Sequence, residues 1–300
     1  MLIERYLKKY FAGSTAPWAA VFQDLTQLKV MASIKEVVFT SSQLLCAPET
    51  VLTATYPVRD QTEDSRQRAV QVAASLAAAK TSPILFSGIH RAAVQIGLPI
   101  REMEVDATGG VGVMGKLDRT WYVLGDALSM QTEGVELGMA TATLAQQIEA
   151  EGKYPLFLAM QGPKRLLAVF ACERQILPHI DMALERLQQL KIAVVLLTDE
   201  SPIIAEAFYT RLPGITVKVV GNQKEKQEKI AQIADSTTAL ICAPHNLAEF
   251  SEYHPLICVS RQTSSRADLS VNQIYLIPEA FQTAHQMLQH LKRRFFWCKL

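Results

Sequence analysis

The segment at residues 40–45 is the best-placed part of this chain for chemistry, because it directly follows an apolar strand predicted at 34–39. In a parallel α/β domain, ligands and catalytic groups gather at the carboxyl ends of such strands. Phosphoryl transfer or hydrolysis there needs a carboxylate that acts as nucleophile and helps to hold Mg²⁺. The segment reads Thr40-Ser41-Ser42-Gln43-Leu44-Leu45, with no carboxylate. The sequence therefore predicts a site that has lost its chemistry.

A second candidate is the acidic cluster Thr198-Asp199-Glu200, which follows an apolar strand predicted at 192–197. It could form a new catalytic or metal site. It could equally be the N-cap of the next helix, where acidic residues favour the positive end of the helix dipole. We favour the capping interpretation.

Cysteine and histidine spacing gives no sign of a metal site. The five cysteines, at 46, 172, 242, 258 and 298, include no Cys-x-x-Cys pair. Their scatter favours reduced, buried thiols. Three histidines, His179, His245 and His254, lack the spacing of metal ligands, so we predict no bound metal.

Composition limits the partners of the chain. Its 300 residues are 49% apolar and 20% charged, which predicts two folded domains, and the formal charge of +1 gives no general attraction to nucleic acid. No apolar stretch is long enough to span a bilayer, and residues 1–10 are typical of an amphipathic helix rather than a signal peptide. We therefore expect a cytoplasmic protein. The cluster Lys292-Arg293-Arg294 beside Phe295-Phe296-Trp297 could touch a membrane surface, but we favour a snorkelling helix end or a tail that docks on a protein partner.

The first half of the chain predicts a mixture of helices, turns and antiparallel strands. A polar, proline-containing passage at 48–64 separates the first strand from a long alanine-rich helix. Glycines at the ends of alternating apolar runs predict antiparallel strands within 108–126. The helices are predicted at 1–10, 18–31, 63–80, 85–96 and 137–150.

From residue 154 onward, apolar strands without alternation stand between amphipathic helices, a pattern typical of a parallel sheet covered on both faces. Strands are predicted at 155–160, 166–171, 192–197, 217–220, 239–242 and 256–260, and helices at 178–190, 203–211, 225–234 and 281–296. We assign 1–33 to an N-terminal helical segment, 34–53 with 154–300 to an α/β core domain, and 54–153 to an inserted domain.

This order resembles the cytoplasmic half of P-type cation ATPases, closest to the heavy-metal branch. Four places carry the resemblance: Gly110-Val-Gly112-Val-Met-Gly with Gly125-Asp126, Ser75-Leu76 with Ser82-Pro83, Val194-Val-Leu-Leu-Thr198-Asp199, and Lys226. They resemble, in that order, the nucleotide loop, the helix ending in Ser-Glu-His-Pro, the Leu-Thr-Gly-Asp motif and the phosphate-binding lysine. The resemblance implies a haloacid-dehalogenase-like parallel-sheet core with an inserted nucleotide-binding-like domain.

The same resemblance implies that the catalytic motifs are lost. The family's Asp-Lys-Thr-Gly-Thr aligns with 40–44, so Thr40 replaces the aspartate that is phosphorylated. Its Gly-Asp-Gly-x-Asn-Asp aligns with 242–247, so Ala243 and Leu247 replace two acids that hold Mg²⁺, and only Asn246 remains. Without a metal to neutralise it, the γ-phosphate charge would oppose phosphoryl transfer.

The resemblance implies no cofactor for this chain, although weak binding of a nucleotide or phosphate could survive. The adenine-contacting glutamate and histidine fall on Ala77 and Ser82, which cannot bind the base. Gly110 and Gly112, with Gly125 and Asp126, could still let a nucleotide approach the backbone, although a tight β-turn explains these glycines more simply. Thr198 and Lys226 could still bind phosphate, although a lysine near the start of a helix is ordinary.

Three hypotheses remain. The first is a catalytically inactive relative of these ATPases that serves as a scaffold or protein-interaction subunit of a larger bacterial assembly, such as transport or secretion machinery, with a homodimer as an alternative. Its aromatic tail, Phe295, Phe296 and Trp297, would anchor a protein partner. The second is a nucleotide-binding regulatory sensor. The third is a diverged phosphatase that uses Asp199 or Glu200.

Overall fold

Strand β1 (Glu36–Phe39) lies inside a six-stranded sheet in which all neighbouring strands are parallel. The sheet is seen in a computed structural model that describes residues 2–79, 81–103, 105–262, 264 and 266–295. The strand order, from one edge to the other, is β12 (Leu269–Val271), β11 (Leu256–Val259), β10 (Thr238–Cys242), β1, β8 (Ala193–Thr198) and β9 (Ile215–Val219). Because β8 follows on one side of β1 and β10 on the other, the switch point of the topology lies between β1 and β10.

This sheet belongs to the first of two units, which contains residues up to Leu45, Leu177–Ser201 and the chain from Tyr209 onward. Its helices are α1 (Leu2–Tyr10), α2 (Leu25–Ser33), α7 (Ile180–Gln189), α9 (Gln223–Ile233) and α10 (Leu276–Arg294). On one side of the sheet, apolar residues of β1, β8, β10 and β11 pack with Ile230 of α9 and with Phe250. The side chains of β1 are almost fully enclosed, which places its carboxyl end at a buried edge.

The second unit contains Cys46–Ile176 together with Pro202–Phe208, which is most of helix α8 (Pro202–Tyr209). Its six strands form an antiparallel sheet in the order β2 (Cys46–Pro57), β7 (Arg165–Ile176), β6 (Tyr154–Met160), β5 (Thr120–Gly125), β4 (Gly112–Leu117) and β3 (Val105–Ala107). Its helices are α3 (Glu63–Ala77), α4 (Ser87–Gln95), α5 (Ala127–Thr132) and α6 (Met139–Ala150).

Helices cover both faces of this antiparallel sheet. On one face, α3 and α4 pack Ala73 and Ile89 against Leu156 and Phe170. On the other face, residues of α5 and α6 pack against Phe157 and Val169. Successive residues of β6 and β7 are therefore buried on alternate faces, and both strands read as continuous apolar runs.

That double coverage explains why the predicted domain boundaries were wrong. We assigned 154–176 to the parallel core because its strands lack alternation, yet β6 and β7 pair antiparallel with each other and with β5 and β2. Likewise, residues 46–53 belong to the inserted unit rather than to the core. A continuous apolar strand signals burial on both faces, and parallel pairing is only one way to achieve it.

The passage predicted as an irregular polar connection at 48–64 is mostly strand β2. This strand lies at the edge of its sheet, where prolines and polar residues are tolerated because one side of the backbone needs no partner. Its pairing with β7 contains two register shifts, which also break the apolar alternation. The elements β3, α5 and β12 were not predicted; they are three to six residues long.

The remaining predicted elements are confirmed within a few residues, and the helix predicted at 18–31 is divided. A 3₁₀ turn covers Val21–Gln23, and α2 begins after Asp24, whose carboxylate accepts a hydrogen bond from the Thr26 amide at 2.7 Å. Among the residues that the structure describes, no helix has the length and apolar character that a membrane crossing requires.

Candidate functional site

Thr40 lies where β1 ends, and its side chain is fully buried. Both its amide and its hydroxyl donate hydrogen bonds to the carbonyl oxygen of Ile241 in β10, each at 3.0 Å. The Thr40 hydroxyl group therefore links the end of β1 to β10. A buried hydroxyl that already donates to the backbone is poorly placed to attack a phosphorus atom.

The residues after Thr40 turn into the protein instead of forming an open loop. Ser41 caps a 3₁₀ turn, because its hydroxyl oxygen accepts a hydrogen bond from the Gln43 amide at 3.3 Å. Ser42 is 3% exposed, and both Leu44 and Leu45 are buried. The turn is thus held by its own side chains and by apolar burial.

The loop after β10 carries the two positions that the resemblance aligns with metal-binding acids. Ala243 is half-buried and precedes a 3₁₀ turn at Pro244–Asn246. Leu247 is buried in the apolar cluster beneath the sheet, next to Phe250. An aspartate at 247 would therefore have to leave water for an apolar environment.

Glu249 is an acidic residue that the sequence reasoning missed in this loop. One of its carboxylate oxygens, Oε2, accepts a long hydrogen bond of 3.4 Å from Asn246, and the other, Oε1, is buried without a hydrogen-bond partner. Its position two residues after Leu247 gave no motif signal. Within the described ranges, no three of the histidine, cysteine and acidic side chains are grouped closely enough to hold a metal ion.

Thr198, Asp199 and Glu200 lie at the same edge of the sheet as Thr40, because β8 is paired with β1. Thr198 is buried and accepts a hydrogen bond from the Glu200 amide at 3.3 Å. Glu200 is 7% exposed and accepts a hydrogen bond of 3.2 Å from the buried Tyr209 hydroxyl. Only Asp199 points into solvent. The buried carboxylate thus fixes the far end of α8, a contact that differs from the predicted capping role.

Lys226 lies in the first turns of α9 and is half-buried. Its ammonium nitrogen is 6.0 Å from the centre of the Phe250 ring, a distance at which a cation–π contact is weak. The start of α9 is closed by other residues: the Asn222 side chain accepts from the Glu225 amide at 2.9 Å, and the Glu225 carboxylate accepts from the Gly221 amide at 2.7 Å. Two backbone amides that could bind an anion there already donate hydrogen bonds to these side chains.

A cavity of about 770 Å³ opens in the first unit beside the carboxyl ends of β1 and β10. Gln43, Leu44 and Ala243 line it together with apolar side chains of α7 and of the segment before α10. Two lining residues carry opposite charges, and the Arg186 guanidinium and the Glu279 carboxylate form an ion pair at 2.9 Å. This lining suits an apolar occupant better than a phosphate.

In the second unit, the structure brings the predicted glycine cluster together. Gly112 and Gly125 are paired across β4 and β5, and Gly110 has a positive φ of 67°. A Cβ at Gly112 would collide with the side chains of Thr108 and Ser129, and one at Gly125 would also meet Ser129. Both glycines are therefore required by close packing.

Asp126 occupies the turn that these glycines form. Its carboxylate accepts hydrogen bonds from the Val111 amide at 3.2 Å and from the Ser129 amide at 2.8 Å, and it also binds the Ser129 hydroxyl at 2.7 Å. The carboxylate thus uses backbone groups that could otherwise meet a ligand. Its negative charge also opposes the approach of a phosphate. The β-turn interpretation accounts for this cluster.

The two positions aligned with the adenine contacts are also used structurally. Ala77 ends α3 and packs on the α3–α4 cluster, and the Ser82 hydroxyl donates to the Leu76 carbonyl at 2.5 Å. A cavity of about 780 Å³ lies nearby, and its lining includes Ser75, Glu102 and Asp106. The two carboxylates make this cavity unfavourable for the phosphates of a nucleotide.

The proposed aromatic interface is wrong at Phe295, which is 7% exposed and packs edge-on against Tyr6 at 5.9 Å between ring centres. Phe296 and Trp297 lie outside the described residues. Four cysteines, Cys46, Cys172, Cys242 and Cys258, are buried thiols outside any disulfide, as predicted, and Cys298 is outside the described part. Burial raises the pKa of Cys172 to about 12, so its thiol stays protonated at neutral pH.

Comparison with known proteins places this fold. No protein-family model matches the chain. Over 163 residues, or 54% of the chain, the sequence is 29% identical to a copper-exporting P-type ATPase of Legionella pneumophila. The chain covers 22% of that protein's length.

Solved structures agree over a larger part of the chain. A zinc-transporting PIB-type ATPase in its E2.Pi state matches 89% of this chain with a TM-score of 0.69 and 19% identity, although only 43% of that protein is covered. The catalytic CPx-ATPase domain CopB-B, studied for its changes on nucleotide binding, matches 86% of this chain and 94% of its own length, with a TM-score of 0.61 and 15% identity. The fold is that of the cytoplasmic catalytic domains of P-type heavy-metal ATPases. The predicted fold class, a haloacid-dehalogenase-like core with an inserted domain, is confirmed.

Proposed function

We propose that this protein is a catalytically inactive relative of the P-type metal ATPases that acts as a scaffold or protein-interaction subunit. The observation that carries this proposal is Thr40, which stands at the aligned position of the phosphorylated aspartate. It is buried, and its hydroxyl donates to the Ile241 carbonyl. No carboxylate oxygen is available there to accept a phosphoryl group.

The two positions aligned with the family's Mg²⁺ ligands support the same proposal. Hard cations such as Mg²⁺ bind carboxylate and water oxygens in near-octahedral geometry. At the aligned positions this chain has the methyl group of Ala243 and the buried isobutyl group of Leu247. Phosphoryl transfer depends mainly on positioning and on neutralising the phosphate charge, so losing the metal ligands removes the largest contribution to catalysis.

A binding role is what this fold can still perform. Each of the two sheets has its own buried apolar core. Both units can therefore fold stably and present a surface to a protein partner. We propose that this partner belongs to a larger bacterial assembly, such as transport or secretion machinery. Affinity purification from native cells under mild salt, followed by mass spectrometry, tests this; recovery of the chain alone from repeated purifications would contradict it.

Activity assays test the inactive state directly. We expect no Mg²⁺-dependent release of phosphate from ATP, acetyl phosphate or a panel of phosphate esters above the rate without protein. The Asp199→Asn variant provides the control for a diverged phosphatase, because Asp199 is the one exposed carboxylate of its cluster. A Mg²⁺-dependent rate that this variant abolishes would replace the scaffold proposal with a hydrolase.

Nucleotide sensing is tested separately by calorimetry with ATP and with ADP at millimolar concentration. We expect no binding heat, because Asp126 already accepts from the Val111 amide in the glycine turn. Saturable heat that the Asp126→Asn variant strengthens would establish a nucleotide site and would favour the sensor.

A further inference from the structure

The first and last described helices meet through an aromatic contact. The Tyr6 hydroxyl is 2.9 Å from Nε2 of His290, and the two rings stack with their centres 5.8 Å apart. Phe295 packs against the edge of the same tyrosine ring, and the Arg294 guanidinium lies 4.8 Å from the ring centre. Helix α1 is therefore fixed on the last turns of α10.

This contact gathers basic side chains from two ends of the chain. We call them the terminal basic patch; all are exposed, and they are Arg5, Lys8, Lys9, Lys292, Arg293 and Arg294. Residues 280–300 contain no Asp or Glu, and residues 1–10 contain one, Glu4, although the whole chain has a net charge of only +1. Positive charge is thus concentrated here and is balanced by acidic residues elsewhere.

Exposed apolar side chains stand beside these charges. Leu2 is 59% exposed and Tyr10 is 58% exposed. They lie four residues before and four residues after Tyr6, so the helix period places all three along one side of α1. Leu2 and Lys9 are seven residues apart and share a side of the helix, so exposed apolar and basic side chains lie next to each other on α1. Such a combination is typical of helices that lie in a membrane interface.

We propose that the terminal basic patch binds an anionic phospholipid surface, with α1 lying in the interface. The sequence alone favoured a snorkelling or protein-docking tail at 292–297. The structure adds three basic residues of α1 to that cluster and places Leu2 and Tyr10 beside them. A cluster of four to eight basic residues on an amphipathic helix is the pattern that anionic lipid headgroups attract. This proposal is independent of whether the protein is an active enzyme.

The test is co-sedimentation of the full chain with vesicles of phosphatidylglycerol and phosphatidylcholine in equal parts. We expect binding to these vesicles, little binding to pure phosphatidylcholine, and release at about 0.5 M NaCl, where screening shortens the reach of charges to a few ångströms. The Lys8→Glu/Lys9→Glu variant should bind at least about tenfold more weakly, since each basic residue near an anionic surface contributes on that scale.

A matched variant reverses the same number of charges elsewhere in the unit. Lys224→Glu/Lys229→Glu changes two lysines of α9, away from the patch in sequence, and should bind vesicles like the unaltered protein. Equal loss in both variants, or no loss in Lys8→Glu/Lys9→Glu, would overturn the proposal. Circular dichroism of each variant establishes that the fold is retained.

A second pair of measurements separates lipid from an acidic protein. Leu2→Ser/Tyr10→Ser keeps every charge and should still weaken vesicle binding several-fold, because the interfacial apolar contacts are lost. Soluble polyglutamate presents negative charge without an apolar layer and should bind weakly, with no effect of the Leu2→Ser/Tyr10→Ser changes. Polyglutamate binding as tight as vesicle binding would overturn the lipid assignment in favour of an acidic protein partner.

Discussion

At residue scale, the inactive state that we propose depends on the surroundings of one threonine, Thr40. An aspartate at the end of β1 would need contact with solvent, a metal and a phosphate. Thr40 has none of that exposure and instead joins β1 to β10 through the Ile241 carbonyl. Leu247, the position that the resemblance aligns with a metal-binding acid, is part of the apolar cluster. We propose that both positions contribute to stability rather than to catalysis.

Substitution of Thr40 should therefore change stability in a graded way. Thr40→Val keeps the shape but removes one hydrogen bond, and it should lower the free energy of unfolding by about 1 kcal/mol. Thr40→Asp buries an unpaired carboxylate and should lower it by about 3 kcal/mol or more. Urea unfolding at neutral pH measures both. If Thr40→Asp is as stable as the unaltered protein and gains Mg²⁺-dependent ATPase activity, the site is open and our account of it is wrong.

Cys172 gives a prediction that depends on pH. Burial raises the pKa of its thiol to about 12 from an ordinary value near 9.0. The thiol in the unfolded chain ionises first as pH rises, so the stability it contributes is complete below about pH 9 and is lost progressively up to about pH 12. At pH 10 we expect a loss of about 1–2 kcal/mol relative to pH 8.

The control for this loss is Cys172→Ala, which removes the titrating group. The difference in unfolding free energy between pH 8 and pH 10 should be smaller in this variant by the same amount, since all other titrating groups remain. Equal pH dependence in the two proteins would show that Cys172 is ionised in the folded state or reachable by water.

At the scale of elements, the glycine turn between β3 and β4 and the start of α5 form one packed unit. Gly112 and Gly125 let two strands approach Ser129, and Asp126 binds the turn and caps the helix. In this arrangement the glycines serve close packing, and no ligand is needed to explain them.

This assignment predicts a large difference between two glycine-to-alanine variants. Gly112→Ala places a methyl group into Thr108 and Ser129 and should lower the unfolding free energy by about 1–3 kcal/mol. Gly162→Ala is the matched control, because this exposed turn residue has nothing within 4 Å of the added methyl and its φ lies outside the left-handed region. It should change stability by less than about 0.5 kcal/mol. Similar unfolding midpoints for the two variants would contradict the packing argument.

The same scale shows what the sequence could reveal. The strands of the parallel sheet were predicted because each is a short apolar run between amphipathic helices. The candidate residues at 40 and 198 followed from their strand ends, and the residue at 243 followed from the family resemblance. The domain boundary was predicted wrongly, because β6 and β7 are covered on both faces and resemble parallel strands. Strand β2 was missed because its polar residues belong to an edge, and Glu249 because no motif marks its position two residues after Leu247.

At the scale of the whole molecule, the chain has two folded units, and we propose that it lacks the acidic side chains that an ATPase of this fold would need. Relatives and structural neighbours are copper- or zinc-transporting P-type ATPases and their catalytic domains. Two electrostatic features of the described residues bear on possible partners: an exposed basic patch at α1 and α10, and a carboxylate in the glycine turn. The carboxylate opposes the approach of a nucleotide phosphate, and the basic patch is the surface that we propose for anionic lipid.

The most direct measurement of this account is ¹⁹F NMR of beryllium fluoride with the purified protein during a titration with Mg²⁺, since this complex mimics a phosphoryl group on an aspartate. We predict only the resonances of free beryllium fluoride at every Mg²⁺ concentration. A bound resonance that appears with Mg²⁺ and disappears in Thr40→Val would show that the end of β1 still accepts a phosphoryl group, and it would contradict the inactive state proposed here.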